Sequence, residues 1–172
     1  MGLKVGTVKL EKYNSDWAKM FEEEAKILDE IFGDKAIIIE HIGSTSIKGL
    51  SSKPIIDIAV GILDLEDFDE LRYKFEEKPY QIKKDPTPGE ELIIKRIGED
   101  ITTYLIHVME VDSKRCRDTI MFRNYLRNHH DVMREYEKLK KELAIKYKDD
   151  RPKYTASKND FIQSVLEKAN ED

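Results

Sequence analysis

Apolar residues recur every three or four positions between 17 and 32: Trp17, Met20, Phe21, Ala25, Leu28, Ile31 and Phe32. Asn14-Ser15-Asp16 precedes them and Gly33-Asp34 follows. The spacing predicts an amphipathic helix over 15–32 with a polar cap and a glycine stop. Residues 5–10 read as a short edge strand. Two runs rich in β-branched residues come next, 36–42 and 55–62, and read as buried strands. The stretch 45–52 between them reads as a loop or short helix. Asp64 opens a helix to about Glu77, with Leu65, Phe68, Leu71, Tyr73 and Phe75 loosely periodic. Three strands follow: Tyr80–Lys83, Glu91–Ile97 and Thr102–Glu110. Asp85-Pro86-Thr87-Pro88-Gly89 separates the first two, and Gly98-Glu99-Asp100 turns the last pair as a hairpin. The last third is helical, over about 112–127, 131–148 and 157–169. The tail Asn170-Glu171-Asp172 is expected to fray. The order predicts an α+β fold: a mixed β-sheet packed by helices in 1–111, and a C-terminal helical set in 112–172 packed on it as one compact unit.

Composition narrows the classes. The chain has 172 residues, 40% hydrophobic and 38% charged, which fits one globular domain with a densely charged surface. A net charge of -5 argues against nucleic-acid binding through bulk electrostatics, although 30 Lys and Arg leave room for a local basic cluster. The single Cys116 excludes an intrachain disulfide and fits a reducing compartment. No signal-type core follows Met1, and no apolar run reaches the ~20 residues of a membrane helix. The expected location is the cytoplasm, without membrane association.

The candidate chemistry lies where the two isoleucine runs meet. Glu40-His41-Ile42-Gly43-Ser44-Thr45-Ser46 ends one strand in a turn whose amides and hydroxyls suit phosphate oxygens. Asp57 interrupts the second run. A buried carboxylate there calls for a cation, either a metal or a side chain such as Lys53 or Arg96. If the strand alternates, Asp57 and Ala59 share one face. His41 and His107 lie in or beside strands, next to Glu40 and near Glu110. Lys95 and Arg96 interrupt an apolar hairpin strand, where they read as a solvated face or as cations for a polyphosphate. Arg123 and Arg127, one turn apart, read as a surface stripe. His129-His130 read as a helix C-cap, Tyr136 as part of a core stripe, and Cys116 as a small apolar residue.

The chain also resembles the GrpB (UPF0157-like) family, whose fold is considered nucleotidyltransferase-like. The resemblance rests on Glu40 through Ser46, Gly49-Leu50, Lys53 through Ile58, His107-Val108, Phe122-Arg123, Tyr125-Leu126-Arg127, Tyr136, Leu139-Lys140, Tyr154, Lys158 and Phe161-Ile162, with Leu10, Tyr13, Trp17, Phe21 and Glu24 near the start. It implies transfer of a nucleotidyl group from an NTP to an acceptor, with Mg²⁺ or Mn²⁺. Gly43, Ser44, Thr45 and Ser46 would take the phosphates, and Lys53, Lys95, Arg96 and Arg123 would neutralise them. Asp57 would bind metal, and His41 or His107 would exchange a proton or orient substrate. Two positions depart from the pattern. Ala59 stands where the second metal-binding acid belongs, leaving Glu40 or Glu110 as substitutes, and Asn124 replaces an acid in the Phe-Arg-Asp-Tyr-Leu-Arg run. Two other readings stay open: a catalytically degenerate module that binds a nucleotide or other phosphorylated small molecule, and an interaction protein using Arg123 and Arg127.

Overall fold

A computed structural model describes residues 1–171. The elements are β1 (Leu3–Lys4), α1 (Asp16–Phe32), β2 (Ile38–Ile42), β3 (Ile56–Ile62), β4 (Tyr80–Ile82), β5 (Glu91–Ile97), β6 (Ile101–Glu110), α2 (Lys114–Asn128), α3 (His130–Lys146), α4 (Arg151–Ala156) and α5 (Asn159–Glu171), with short 3₁₀ turns between them. The strands form one six-stranded sheet in the order β2-β3-β6-β5-β4, with β1 paired to β6. β3 and β6 run parallel and the other pairs antiparallel, so the sheet is mixed and the class is α+β.

Each face of the sheet has its own cover. On one side, Ile56, Ile58, Val60, Ile62, Ile93, Tyr104, Ile106 and Val108 pack against Trp17, Leu28 and Phe32 of α1 and against Phe68, Leu71 and Phe75. Each large side chain buried this way contributes roughly 1.5–3 kcal/mol. On the other side, Ile42, Ala59 and Met109 pack under Cys116 and Ile120 of α2. Beyond them Ile47 and Leu50 join Leu126, Val132, Tyr136 and Val165 in a third cluster that seats the C-terminal helices on the sheet. Cys116 is buried as expected. No helix of the described residues is long and apolar enough to cross a membrane.

Four local expectations change. The edge strand predicted over 5–10 is β1 at Leu3–Lys4. Gly6, at φ 80°, turns the chain, and the Val8 amide donates to the Lys148 carbonyl instead (2.7 Å). The helix predicted over 64–77 is two 3₁₀ segments, Leu65–Glu70 and Arg72–Phe75. Glu66, Asp67, Asp69 and Glu70 place like charges three and four apart, which weakens an α-helix there. The apolar positions keep their role, with Phe68 stacked on both Phe32 and Phe75 and Phe75 tilted against Phe32. Helix α4 falls between the helices expected over 131–148 and 157–169, where no element is predicted; Asp150 caps it, accepting from the Lys153 amide (3.1 Å), and Pro152 sits in its first turn. The tail is helical through Glu171, and Asp172 lies outside the described residues.

Candidate functional site

Strand register decides which candidates can meet. Ile42 lies opposite Asp57, Glu40 opposite Ala59, and Ala59 opposite His107. Side chains alternate, so Glu40, Ile42, Asp57, Ala59, His107 and Met109 share the face under α2. This face and the helices α2 and α5 enclose a cavity of about 730 Å³. Its polar lining includes Asp57, Glu90, His107, Arg115, Asp118 and Tyr136, with Gly43 beside Asp57, and its apolar wall includes Phe122, Ile162 and Leu166.

The turn after β2 presses directly on Asp57. Gly43 takes φ 66°, and a Cβ built on it would sit 2.5 Å from Asp57 Oδ2. Both the conformation and the contact require glycine. The Ser46 hydroxyl donates to the Gly43 carbonyl (2.6 Å), and Thr45 Oγ1 is hydrogen-bonded to His41 Nε2 (3.0 Å). Thr45 and Ser46, read as phosphate ligands, therefore build the turn. Gly43 remains beside Asp57, and Ser44 lies near the Tyr136 hydroxyl.

Asp57 heads an alternating chain of charge. Its Oδ1 lies 3.5 Å from His107 Nε2, His107 Nδ1 lies 3.1 Å from Glu90 Oε1, and Arg115 donates to Glu90 Oε2 (3.0 Å). Burial opposes charge on His107, but hydrogen bonds to both carboxylates overcome it and raise its pKa to about 9. His107 is then an imidazolium that donates to both acids. Burial would also raise Asp57, yet the His107 bond and charge, with Lys53 and Lys158 beyond, hold its carboxyl below the usual range. The same contacts with His107, with Arg115 added, hold Glu90 low against its burial.

Other candidates are placed elsewhere. His41 pairs with Ile58 across β2 and β3 and faces α1, stacked on Phe21 at 4.8 Å. Burial lowers its pKa to about 4, so it is a neutral core histidine and not a partner of the cavity. Glu110 is three positions from His107 and falls on the opposite face, where an oxygen lies 3.5 Å from the Leu65 amide. Lys95 also faces α1 and pairs with Glu24. Arg96 donates to Gln81 of β4 (2.7 Å), at the sheet edge away from β3. Glu40 shares the face of Asp57 but is engaged by Arg123 (2.6 Å). Arg123 is buried and also donates to the His41 carbonyl (2.9 Å), while Arg127 donates to the Ser46 carbonyl (2.8 Å). The two arginines clamp α2 onto β2 and its turn; they form neither an open stripe nor a phosphate site. Lys53 lies near Asp57 and Lys158.

A two-metal clamp does not fit this donor set. Ala59 is fully buried against Ile42, Met109 and Cys116, so α2 seals the position of a second acid. Neither Glu40 nor Glu110 replaces it, and among the described residues no group of three His, Cys, Asp or Glu side chains could hold a metal ion.

Glu90 and Arg115 had not been anticipated. Counted from the hairpin turn without interruption, β5 would place Glu91 opposite His107. A bulge that leaves Thr103 unpaired moves the register by one, sets Leu92 opposite His107 and sends Glu91 to Arg72 (2.9 Å). Glu90 thereby reaches the cavity.

Comparison with known proteins agrees with this architecture. Residues 7–168 match the family described as GrpB protein. The chain is 37% identical to the Glutamate-rich protein GrpB of Alkalihalophilus pseudofirmus, over 96% of this chain and 98% of that one. It is 33% identical to the UPF0157 protein YqkA of Bacillus subtilis, covering 91% of this chain but 46% of YqkA. The crystal structure of conserved protein GrpB from Enterococcus faecalis superposes with a TM-score of 0.84 at 32% identity, covering 94% of this chain and 96% of that one. The mixed-sheet, nucleotidyltransferase-like α+β fold is thus shared with the Enterococcus faecalis protein, and the chain belongs to the GrpB family.

Proposed function

We propose that the protein binds a nucleotide or a similar phosphorylated small molecule in the cavity under α2 and α5. Gly43 and Ser44 face its phosphates, and Phe122, Ile162 and Leu166 face its apolar part. One observation carries this reading: the Gly43-Ser44 turn is packed onto Asp57 at a cavity of about 730 Å³, a size that suits a small ligand. His107, held between Asp57 and Glu90, keeps Asp57 ionised and oriented. Binding without two-metal nucleotidyl transfer accords with Ala59 sealed under α2. The interaction reading loses its feature, because Arg123 and Arg127 are engaged within the chain.

A thermal-shift panel of the four NTPs and their diphosphates, in EDTA and with Mg²⁺ or Mn²⁺, tests this. A ligand at about 100 times its Kd adds roughly 2.7 kcal/mol. The expected result is stabilisation that persists in EDTA. Pyrophosphate release from an NTP that requires Mg²⁺ would establish nucleotidyl transfer instead, and no shift with any nucleotide would overturn the reading.

A further inference from the structure

Three lysines gather around the Tyr154 and Tyr136 rings, two of them near Asp57, outside the lining of the cavity, and the binding site described so far makes no use of them. Lys53 stands on the segment entering β3, Lys140 in the middle of α3, and Lys158 between α4 and α5. Lys158 Nζ lies 4.7 Å and Lys53 Nζ 5.6 Å from the Tyr154 ring centroid. Lys140 Nζ lies 4.9 Å from the Tyr136 ring and donates to the Ser51 carbonyl. The Tyr136 hydroxyl in turn lies near Ser44.

This cluster has too few acids. Among the described residues none of the three lysines forms a salt bridge. Asp57 is the acid whose field reaches both Lys53 and Lys158, and His107 already holds it. Glu137 faces Lys140 but is shared with Lys141 and the Ser51 amide. Arg151 adds positive charge near Lys53. Burial, reinforced by neighbouring cations, lowers Lys53 to about 8, and burial lowers Lys158 to about 8 and Lys140 well below its usual value. Buried cations in this state are relieved by losing protons or by gaining an anion. Docking of α3 through Ser51 accounts for Lys140 alone. It leaves Lys53 and Lys158 unexplained, and both keep partial exposure, whereas Lys140 is buried.

We propose that Lys53 and Lys158, backed by Lys140 and continued by Ser44 and Tyr136, form a seat for the di- or triphosphate of the ligand, joining the sheet to the C-terminal helices. The ligand class is a polyphosphate ester: three cations beside two carboxylates that are already engaged, Asp57 by His107 and Glu137 by Lys141 and the Ser51 amide, match several phosphate charges better than one. Ammonium groups act as point charges and suit the non-planar array of phosphate oxygens. This inference rests on the phosphorylated-ligand reading and names the part of the ligand that the cluster takes.

The test is calorimetric titration of the full chain, in EDTA, with inorganic phosphate, pyrophosphate, tripolyphosphate and the four NTPs. Wild type is compared with Lys53→Gln, Lys158→Gln and Lys158→Arg. Tripolyphosphate should bind at least 100-fold more tightly than phosphate. Each Gln variant should lose at least tenfold, with much of the affinity restored in Lys158→Arg. Near pH 8.5, titrations in buffers of different ionisation enthalpy should reveal proton uptake on binding, reduced in the Gln variants. Tripolyphosphate binding no tighter than phosphate, or unchanged by the Gln substitutions, overturns the seat. If NTPs then still bind and lose affinity in Gly43→Ala, the cavity reading survives without it. Tripolyphosphate binding through the lysines, with no affinity for any NTP, supports the seat and overturns the nucleotide reading. Binding of none overturns both.

Discussion

Two buried clusters of charge lie on opposite sides of the sheet, and they differ in balance. Under α1, Glu24 pairs with Lys95 and accepts a hydrogen bond from the Tyr80 hydroxyl (2.8 Å), so both carboxylate oxygens are satisfied. Lys95 also lies 5.2 Å from the Tyr80 ring centroid and 5.1 Å from that of Tyr104. One acid meets one base, and no capacity is left for a ligand. Near Asp57, Lys53 and Lys158 face a carboxylate that His107 already holds, and Lys140 faces Glu137, which Lys141 and the Ser51 amide already share. Lysine and tyrosine build both clusters. Charge balance, and not residue type, separates a structural device from a candidate binding site.

The largest expected effect falls on the balanced side. Glu24→Ala leaves the half-buried Lys95 without its acid beside two aromatic rings and the Tyr80 hydroxyl without its acceptor, and should cost about 3–5 kcal/mol in urea unfolding. A cost under 1 kcal/mol would show that the pair is not the closed unit described. On the other face, Ala59→Asp places an acid among Ile42, Met109 and Cys116. It should destabilise by about 3 kcal/mol and create no Mg²⁺-dependent transfer, as read by melting and pyrophosphate release.

The pH dependence sharpens the contrast. The pKa of His107 is about 9 in the folded chain against 6.5 unfolded, so its stabilisation is complete below pH 6.5 and disappears as pH rises through 9. Lys53 and Lys158 act in the opposite sense. Their pKa near 8, against 10.5 unfolded, means a cost that is complete below pH 8 and vanishes by about pH 10.5. Unfolding free energy should therefore fall, by an amount on the order of 2 kcal/mol, between pH 6.5 and 8 and then level or recover toward pH 10. His107→Asn should remove the fall, and Lys53→Met with Lys158→Met should remove the recovery. The smallest effect belongs to Lys158→Met alone at pH 7. Removing this cation relieves its desolvation but gives up its contact with the Tyr154 ring, so the two offset and the net change should stay within about 1 kcal/mol. A loss as large as that for Glu24→Ala would erase the distinction between the clusters.

Much of the fold was legible because hydrophobic period is local: α1, the two isoleucine strands and the Gly98 hairpin all read directly from spacing. The pairing of Gly43 with Asp57 was legible in outline, since a glycine turn and a lone acid on successive strands have few other arrangements. Parity alone could have excluded Glu110, which is an odd number of positions from His107 on one strand and so faces the other way. Glu90 was hidden by the Thr103 bulge, because a single unpaired residue reverses which glutamate reaches the cavity. The lysine cluster was hidden for another reason. Its members lie at 53, 140 and 158, and only the docking of α3 and α5 brings them together, so no local pattern marks them. Arg123 and Arg127 were misread because helical spacing gives their common face but not that β2 lies against it.

The central claim is that phosphates bind at the Gly43-Ser44 turn without a two-metal clamp. Its most direct test is one pair of titrations in EDTA, an NTP into wild type and into Gly43→Ala, whose added Cβ would displace Asp57. The account predicts saturable binding to wild type without metal, weakened at least tenfold in the variant. Binding that appears only when Mg²⁺ or Mn²⁺ is supplied, or that the variant leaves unchanged, would contradict it.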